Sequence, residues 1–253
     1  MKKIIAFSVV LFIIVFSLSA HAIELGVRGY YWFPDFTGDL RVDKDGVQGT
    51  KIDMGNDLGM GDESYPSVEV FAGIGKHHVN VMYTKADYSS EKTLTKGITF
   101  MNTAYASGTF VQTDLDFQMI DLEYRYDLID MENILAGFSI GPIGKIKYIE
   151  GEARLKSSAA NKSETFKTFI PMIGVGIHVG LIADILEARA QITGMAYSES
   201  SLYEYLADIS FTPFPFLDIH GGYKVIDLEV DDISDVFANY EFSGPYLALT
   251  VGF

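Results

Sequence analysis

The residues best suited to chemistry are an aspartate and a histidine two positions apart, in Asp218-Ile219-His220. Side chains at that spacing on a strand point to the same side. A second acidic pair, Asp114-x-Asp116, has the same spacing. A histidine can activate water while carboxylates orient it. Brought together, the two pairs would suit a hydrolase.

The elements that carry these pairs alternate in polarity. In IELGVRGYYWF, Ile23, Leu25 and Val27 are apolar and their neighbours are charged or small. The segments FIPMIGVGIHV and SLYEYLADISF follow the same rule. A period of two over such lengths indicates strands with one apolar face and one polar or small face.

Alternation and turn residues predict ten strands. Their bounds are 23–34, 66–75, 78–95, 109–127, 134–155, 165–180, 184–197, 201–213, 216–230 and 241–253. The phase of alternation slips near Met119-Ile120, which we interpret as a β-bulge.

The first 22 residues form a separate unit. A basic start, a long apolar run and Ala20-His21-Ala22 predict a cleaved signal peptide, leaving 23–253 as one domain. Loss of Lys2 and Lys3 changes the net charge from −15 to −17, which argues against a nucleic-acid partner. The sequence has no cysteine, so thiol catalysis and disulfides are excluded.

Loop lengths predict how the strands are joined. Connections after every second strand are short, whereas the first loop, about 35–65, is long and acidic. Short turns on one rim, longer loops on the other and an even strand count are typical of outer-membrane barrels. A sheet crosses lipid only if it closes and leaves no edge. We therefore predict an all-β fold, a closed antiparallel transmembrane up-and-down β-barrel in the cell outer membrane. A soluble sandwich or lipocalin-like barrel shares the alternation, with its apolar face inward.

The chain ends in GPYLALTVGF, in which apolar residues alternate up to a terminal aromatic. This ending resembles the C-terminal signature of outer-membrane β-barrel proteins, which the barrel assembly machinery reads. The residues that carry the resemblance are Leu247, Leu249, Val251 and Phe253. The closing hairpin is similar to that of small outer-membrane proteins of the OmpW and OmpX types, many of unknown function. Those types have eight strands, so eight remains an alternative to the ten counted.

The Asp and Asp-His pairs resemble those of the omptin proteases, whose sites lie at the outer rim. Here His220 lies about four residues above a periplasmic turn and Asp116 some eleven. At about 2.5 Å of height per residue in a tilted strand, the pairs are roughly 18 Å apart. A lipid A-modifying enzyme would need a Ser-His arrangement near the outer rim, and no histidine lies near an outward serine.

The polar positions of the strands predict a charged lumen. The proposed lumen-lining residues are Glu24, Arg28, Glu69, Asp116, Glu123, Arg125, Lys145, Glu187, Arg189, Asp208, Asp218 and His220. They suit either a narrow pore or a lumen filled by ion pairs, because a buried charge must be paired or wetted.

Three functions follow as hypotheses. The first is a non-enzymatic barrel without cofactor or metal centre, either structural or a narrow channel for small solutes. The second is a surface hydrolase acting on peptides or lipid A. The third is a surface adhesion module acting through the acidic loops, which could also bind divalent cations. The expected surroundings are outer-membrane lipid and lipopolysaccharide.

Overall fold

The computed structural model describes residues 23–131, 137–182, 185–233 and 235–252. The predicted signal peptide and Phe253 lie outside these ranges. Fifteen strands occur within them: β1 (Ile23–Trp32), β2 (Asp35–Val42), β3 (Ile52–Asp53), β4 (Tyr65–Ile74), β5 (His77–Thr93), β6 (Ile98–Phe100), β7 (Thr103–Tyr105), β8 (Phe110–Tyr126), β9 (Ile129–Asp130), β10 (Phe138–Ser157), β11 (Asn161–Ile182), β12 (Leu186–Tyr197), β13 (Ser200–Phe214), β14 (Leu217–Ile233) and β15 (Val236–Gly252). None of the described residues belongs to a helix long and apolar enough to cross a membrane.

Ten of these strands form the wall of a closed barrel. Their order around the wall is β1, β4, β5, β8, β10, β11, β12, β13, β14, β15, each antiparallel to the next. Pairing of β1 with β15, from Gly26 opposite Gly252 to Trp32 opposite Tyr246, closes the ring. The predicted ten-stranded antiparallel barrel is confirmed, and the eight-stranded alternative is wrong.

The first predicted loop is partly strand. Residues 35–42, placed in the loop at 35–65, form β2, which pairs with β15 above the point where β1 ends. The segment extends the wall because Phe36 is buried inside the barrel while Asp35 and Thr37 are exposed outside. The acidic segment between the last two predicted strands, 231–240, lies mostly in the extended ends of β14 and β15.

The wall reverses its polarity along its height. On the outward face of β10, exposed Ile146 is followed further up by Glu152. On the inward face, buried Lys147 is followed by buried Leu155. The lower part has the polarity of a membrane barrel, whereas the upper part has that of a water-soluble barrel.

This reversal explains the phase slip that we interpreted as a bulge. The pairing of β8 with β5 and with β10 runs without interruption through Met119 and Ile120. The predicted bulge is therefore wrong. Leu115 points inward and Leu122 points outward. Both are apolar because Leu115 meets the apolar interior of the upper barrel, whereas Leu122 meets the lipid around the lower barrel.

The lower part of the wall carries an apolar outer belt. Its members include Leu25, Val27, Val70, Val81, Leu122, Ile146, Ile177, Ile209, Ile219, Leu247, Leu249 and Val251, all exposed. Outward apolar side chains on a closed barrel are what lipid requires. The belt and the fold together place the chain in the outer membrane.

The aromatic run at the end of β1 contributes only two of its four rings to the outer surface, where membrane barrels carry an interfacial girdle of aromatic residues. Tyr31 and Phe33 are exposed on the outer face, where their rings pack edge to face 5.0 Å apart. Tyr30 and Trp32 are buried inside the barrel. Because side chains alternate along the strand, two of the four rings lie on the outer surface and two lie in the barrel interior.

Candidate functional site

The upper half of the lumen is filled by an apolar core. Ten wall strands contribute an inward apolar side chain to it: Trp32, Tyr65, Tyr88, Leu115, Leu155, Met172, Met195, Leu202, Ile226 and Phe242. Nine of these are buried, and Met195 is partly buried against the others. The sequence reasoning treated the whole lumen as polar and missed this core.

Aromatic rings of the core join strands that are not neighbours in the wall. Phe36 stacks on Phe242 at 4.8 Å between ring centroids, and Tyr88 stacks on Phe117 at 6.2 Å. Phe117 of β8 in turn meets Phe242 of β15 at 5.9 Å, although β1, β4 and β5 separate these strands. The rings therefore bridge the lumen from one side to the other.

Two outer segments cover the core. Met54, Leu58 and Met60 of the first loop point into it, and residues 94–105 add a second group that includes the β6–β7 hairpin. Ser90 Oγ on β5 donates a hydrogen bond to the Leu58 carbonyl at 2.9 Å, which holds the first loop against the wall. The first loop therefore folds inward over the core.

The first loop also contains a tight hairpin turn. Lys44 and Val47 exchange backbone hydrogen bonds of 3.0 Å, and Asp45 and Gly46 between them both have positive φ, 54° and 76°. An Asp-Gly pair with this backbone forms a two-residue hairpin turn. The turn therefore accounts for the acidic sequence Asp43-Lys44-Asp45-Gly46.

Below the core, two buried lysines meet two buried carboxylates. Lys147 donates to both carboxylate oxygens of Asp121, at 2.6 and 2.8 Å, and its Nζ is 3.0 Å from Glu204 Oε1. Lys145 contacts the same two carboxylates, with its Nζ 3.2 Å from Asp121. Such charges are tolerated only when paired, because desolvation of a lone charge is costly.

A second network lies beside the first. Arg189 and the Tyr246 hydroxyl both donate to Asp208 Oδ2, each at 2.5 Å. His220 Nε2 is hydrogen-bonded to the Thr250 hydroxyl at 2.8 Å. Tyr246 and Thr250 belong to the closing strand, so this network ties β15 to β12, β13 and β14.

Arg28 connects the closing strand to the first two wall strands. Its Nε donates to Thr250 Oγ1 at 2.6 Å, and its Nη1 is 3.1 Å from Glu69 Oε1. The Tyr30 hydroxyl also donates to Glu69, at 3.1 Å. Sequence reasoning assigned no hydrogen-bonding role to Tyr30 or Tyr246, although each shares the inward parity of a polar residue on its own strand, Arg28 on β1 and Thr250 on β15.

Beneath these networks lies a vestibule of about 590 Å³. We use this name for the cavity between the charge networks and the inner mouth, where Gly75, Asp127, Asp130 and Gly137 lie beside the turns. By the orientation common to such barrels, the short turns face the periplasm. The lining contains nine carboxylates and five Lys or Arg residues, with Lys147 just behind it.

The predicted lumen residues divide into three groups. The residues that line the vestibule are Glu24, Arg28, Glu69, Glu123, Arg125, Lys145, Glu187, Arg189, Asp208 and His220. Asp218 occupies the inward parity of β14 outside this lining, and its Oδ1 accepts a hydrogen bond of 2.6 Å from Thr212. Asp116 is placed differently.

Asp116 lies on the outer face of β8, so its assignment to the lumen is wrong. Its neighbours across the sheet are Asp87 on β5 and Glu152 on β10. Above the bilayer the outer face meets water and the inner face meets the apolar core, so the carboxylate belongs outside. Partial burial and the charges of Asp87 and Asp114 raise the pKa of Asp116 above its ordinary value.

The structure does not bring together the two pairs that suggested hydrolysis. Asp114 and Asp116 are outside the barrel near its outer end, whereas Asp218 and His220 are on the inward parity near the periplasmic end. The other described histidines, His77, His78 and His178, also lie in the periplasmic half. A histidine base at the outer rim is therefore missing from the described ranges.

The acidic residues do not form a metal cluster in the described part of the chain. No three His, Asp or Glu side chains there are grouped closely enough to hold a metal ion. Asp53 instead accepts hydrogen bonds from the backbone and side chain of Asn56, at 2.7 and 2.8 Å. The backbone bond is the main reason that the pKa of Asp53 is lowered.

Closed wall, apolar belt and charged inner lumen define an outer-membrane β-barrel protein. The chain is similar in structure to the outer-membrane protease OmpT of Escherichia coli, with a TM-score of 0.61 at 7% identity over 90% of this chain and 97% of that one. It is less similar to the β-domain of the Bordetella autotransporter BrkA, with a TM-score of 0.45 at 11% identity over 88% and 98% of the two chains. The attachment invasion locus protein Ail of Yersinia pestis gives 0.39 at 12% identity over 91% and 99%. The fold likeness rests on OmpT alone. No family model matches the sequence, and no curated protein does.

Proposed function

We propose that this chain is a non-enzymatic outer-membrane barrel whose lumen is closed to solutes. Of the two forms of our first hypothesis, the structural barrel is favoured over the narrow channel. The observation that carries this proposal is the apolar core in the upper lumen, bridged by Phe36, Phe117 and Phe242. A close-packed apolar core leaves few voids larger than a water molecule, so ions have no hydrated path through it.

The hydrolase hypothesis lacks its catalytic group at the surface. OmpT is a protease, but a shared barrel fold does not imply a shared function. An activity at the outer rim would need a base near the outward Asp114 and Asp116, and the described histidines lie at the other end of the barrel. The adhesion hypothesis is also weakened, because Phe36, Met54 and Leu58 of the first loop are buried in the core, so this part of the loop is not free to contact a partner.

Lipid, lipopolysaccharide and the barrel assembly machinery are the partners that we propose for the outer surface. Leu247, Leu249 and Val251 of β15 are 61, 57 and 60% exposed, so the apolar row of the last strand is presented outward. This exposure supports contact with lipid and reading of the strand during assembly. Substitution of all three by serine should slow assembly in vesicles supplemented with the purified machinery.

The closed lumen predicts the outcome of planar-bilayer recording. We expect no stable conductance steps from the wild-type protein, because the core blocks the path of ions. An open porin inserted in the same bilayer shows that insertion and recording work. Stable steps from wild-type protein would overturn the proposal.

A matched pair of variants tests whether the core is the barrier. Phe36→Ala together with Phe242→Ala removes a stacked pair inside the core and should produce an ion leak. Phe169→Ala removes a ring from the outer face of β11, where it is exposed, and should leave the bilayer silent. Equal leakage from both variants would show that the core does not set the permeability.

A further inference from the structure

We propose that the periplasmic vestibule binds small organic cations that carry primary ammonium groups, such as polyamines. The inference goes beyond the proposed function. It rests on that function in one respect: if the lumen is closed above, the vestibule is a pocket that opens only to the periplasm. Its volume of about 590 Å³ falls within the range of small-molecule sites.

The charge of the vestibule favours a cation. Nine carboxylates line it, against five Lys or Arg side chains. The carboxylates remain in excess when Lys147, which lies behind the lining, is counted as a sixth positive charge. The inner networks are close to balance. The excess therefore lies toward the mouth, where Glu24, Asp127 and Glu187 are lining residues.

Histidines compensate part of that excess. His78 Nε2 is 3.0 Å from Asp127 and its Nδ1 is 3.5 Å from Glu24, while His178 Nε2 is 3.1 Å from Glu187. Arg125 also contacts Asp127, at 2.9 Å. The carboxylates at the mouth are therefore partly paired, and the deeper groups decide where a cation would be held.

Two deeper side chains have bonding capacity that their neighbours do not fill. Glu123 is 6% exposed, yet its Oε2 is 3.9 Å from Lys145 Nζ and 3.4 Å from Gln191 Nε2. His220 is 4% exposed, and its Nδ1 has no hydrogen-bond partner among the described residues. The nearest carboxylate oxygen to that atom, on Asp208, is 3.7 Å away.

An ammonium group matches both unfilled positions. It carries three N–H donors and a positive charge, and it can donate to a carboxylate oxygen and to an imidazole nitrogen that acts as an acceptor. A bare metal ion fits less well, because the described acidic and imidazole groups do not converge in threes.

Titration calorimetry of the folded, detergent-solubilised protein tests the site, with spermidine as the probe. We expect wild-type protein to bind spermidine and not 1,8-octanediol, which has a similar length and no charge. Glu123→Gln keeps the shape and removes the charge, so binding should weaken at least about tenfold. Glu152→Gln, on the outer face above the membrane, should leave it unchanged.

Several results would overturn the inference. These are absence of spermidine binding to wild-type protein, equal binding by Glu123→Gln and wild type, or displacement of spermidine by Mg²⁺ at equal concentration. If Glu123→Gln does not show the heat-modifiable gel mobility of wild type, His220→Phe, which removes the other deep unfilled position, replaces it under the same criteria.

A second readout places the ligand inside the barrel. The sequence has no cysteine, so Ser139→Cys introduces a single thiol in the vestibule lining. Spermidine should slow its reaction with a cationic thiol reagent, and an unchanged rate would contradict binding there. If the barrel conducts ions but still binds spermidine, the proposal of a closed lumen is contradicted and the proposal of a cation site is not. The two proposals can therefore be tested independently.

Discussion

Lys147 lies at the boundary between the charged and the apolar parts of the lumen. Its side chain is fully buried, and it donates to Asp121 while lying 3.0 Å from Glu204. Directly above it on the same face of β10 come Ile149 and Ala153, which pack against the core. Together with Lys145, the residue therefore neutralises Asp121 and Glu204 at the place where the lumen becomes apolar.

Lys147→Ala should destabilise the barrel strongly. Removal of one partner from a buried ion pair leaves the other charges uncompensated, at a cost of about 3 kcal/mol or more. The free energy of unfolding in urea, measured with the protein in lipid vesicles, should fall accordingly. Lys167→Ala, at an exposed position of β11, serves as the control and should change it little. Equal effects would mean that Lys147 is not held by its carboxylates.

At the scale of the strand, the outer face of β10 meets lipid along its lower part and water along its upper part. Its outward residues are apolar up to Tyr148 and charged from Glu150, while its inward residues change in the opposite sense. Strand geometry is continuous across this boundary, since pairing with β8 and β11 is unbroken. The boundary therefore marks the edge of the bilayer on the outer surface of the wall.

Arginine introduced at either of two heights on the outer face of β10 tests this boundary. Ile146→Arg puts a charge on the lipid-facing belt and should cost about 2 kcal/mol or more of unfolding free energy. Glu152→Arg puts the same side chain on the same face above the membrane, where it meets water, and should cost little. Both values come from urea titrations in vesicles. A similar loss at the two positions would refute the assigned bilayer edge.

At the scale of the whole molecule, the barrel combines two kinds of packing around one continuous wall. In the membrane, the wall has lipid outside and paired charges inside. Above the membrane it surrounds a core of the kind found in soluble proteins, covered by the first loop and by residues 94–105. Trp32 lies where the two parts meet, with its indole N–H donating to the Gly244 carbonyl at 3.1 Å and Lys224 Nζ 5.0 Å from its ring centroid.

The single tryptophan reports directly on this arrangement. Trp32 is buried inside the wall, so brominated lipids and acrylamide should both quench its fluorescence weakly. The matched variant carries Trp32→Phe and Tyr31→Trp, which moves the indole to the outward neighbour. Brominated lipid should quench that variant strongly. Strong quenching of wild-type protein by brominated lipid would place Trp32 in the interfacial girdle and contradict the inward orientation.

Local pattern alone determined much of the wall. Alternation gave the ten wall strands to within a few residues of their bounds, because each face of a strand has one environment and side chains alternate between faces. It also gave the inward position of Arg28, Glu69 and His220, since the lower barrel keeps its polar face inside. Short turns after every second strand gave the antiparallel order.

Only the tertiary structure decided which solvent each face meets at each height. Alternation marks two faces but does not say which is inside, so the reversal above the bilayer looked like a bulge, and Asp116 was assigned to the wrong side. The apolar core also depended on closure, because Phe117 and Phe242 are distant in sequence and meet only across the lumen. Charge alternation therefore predicted a polar interior, and long-range contacts determined that the outer half of that interior is filled by apolar side chains.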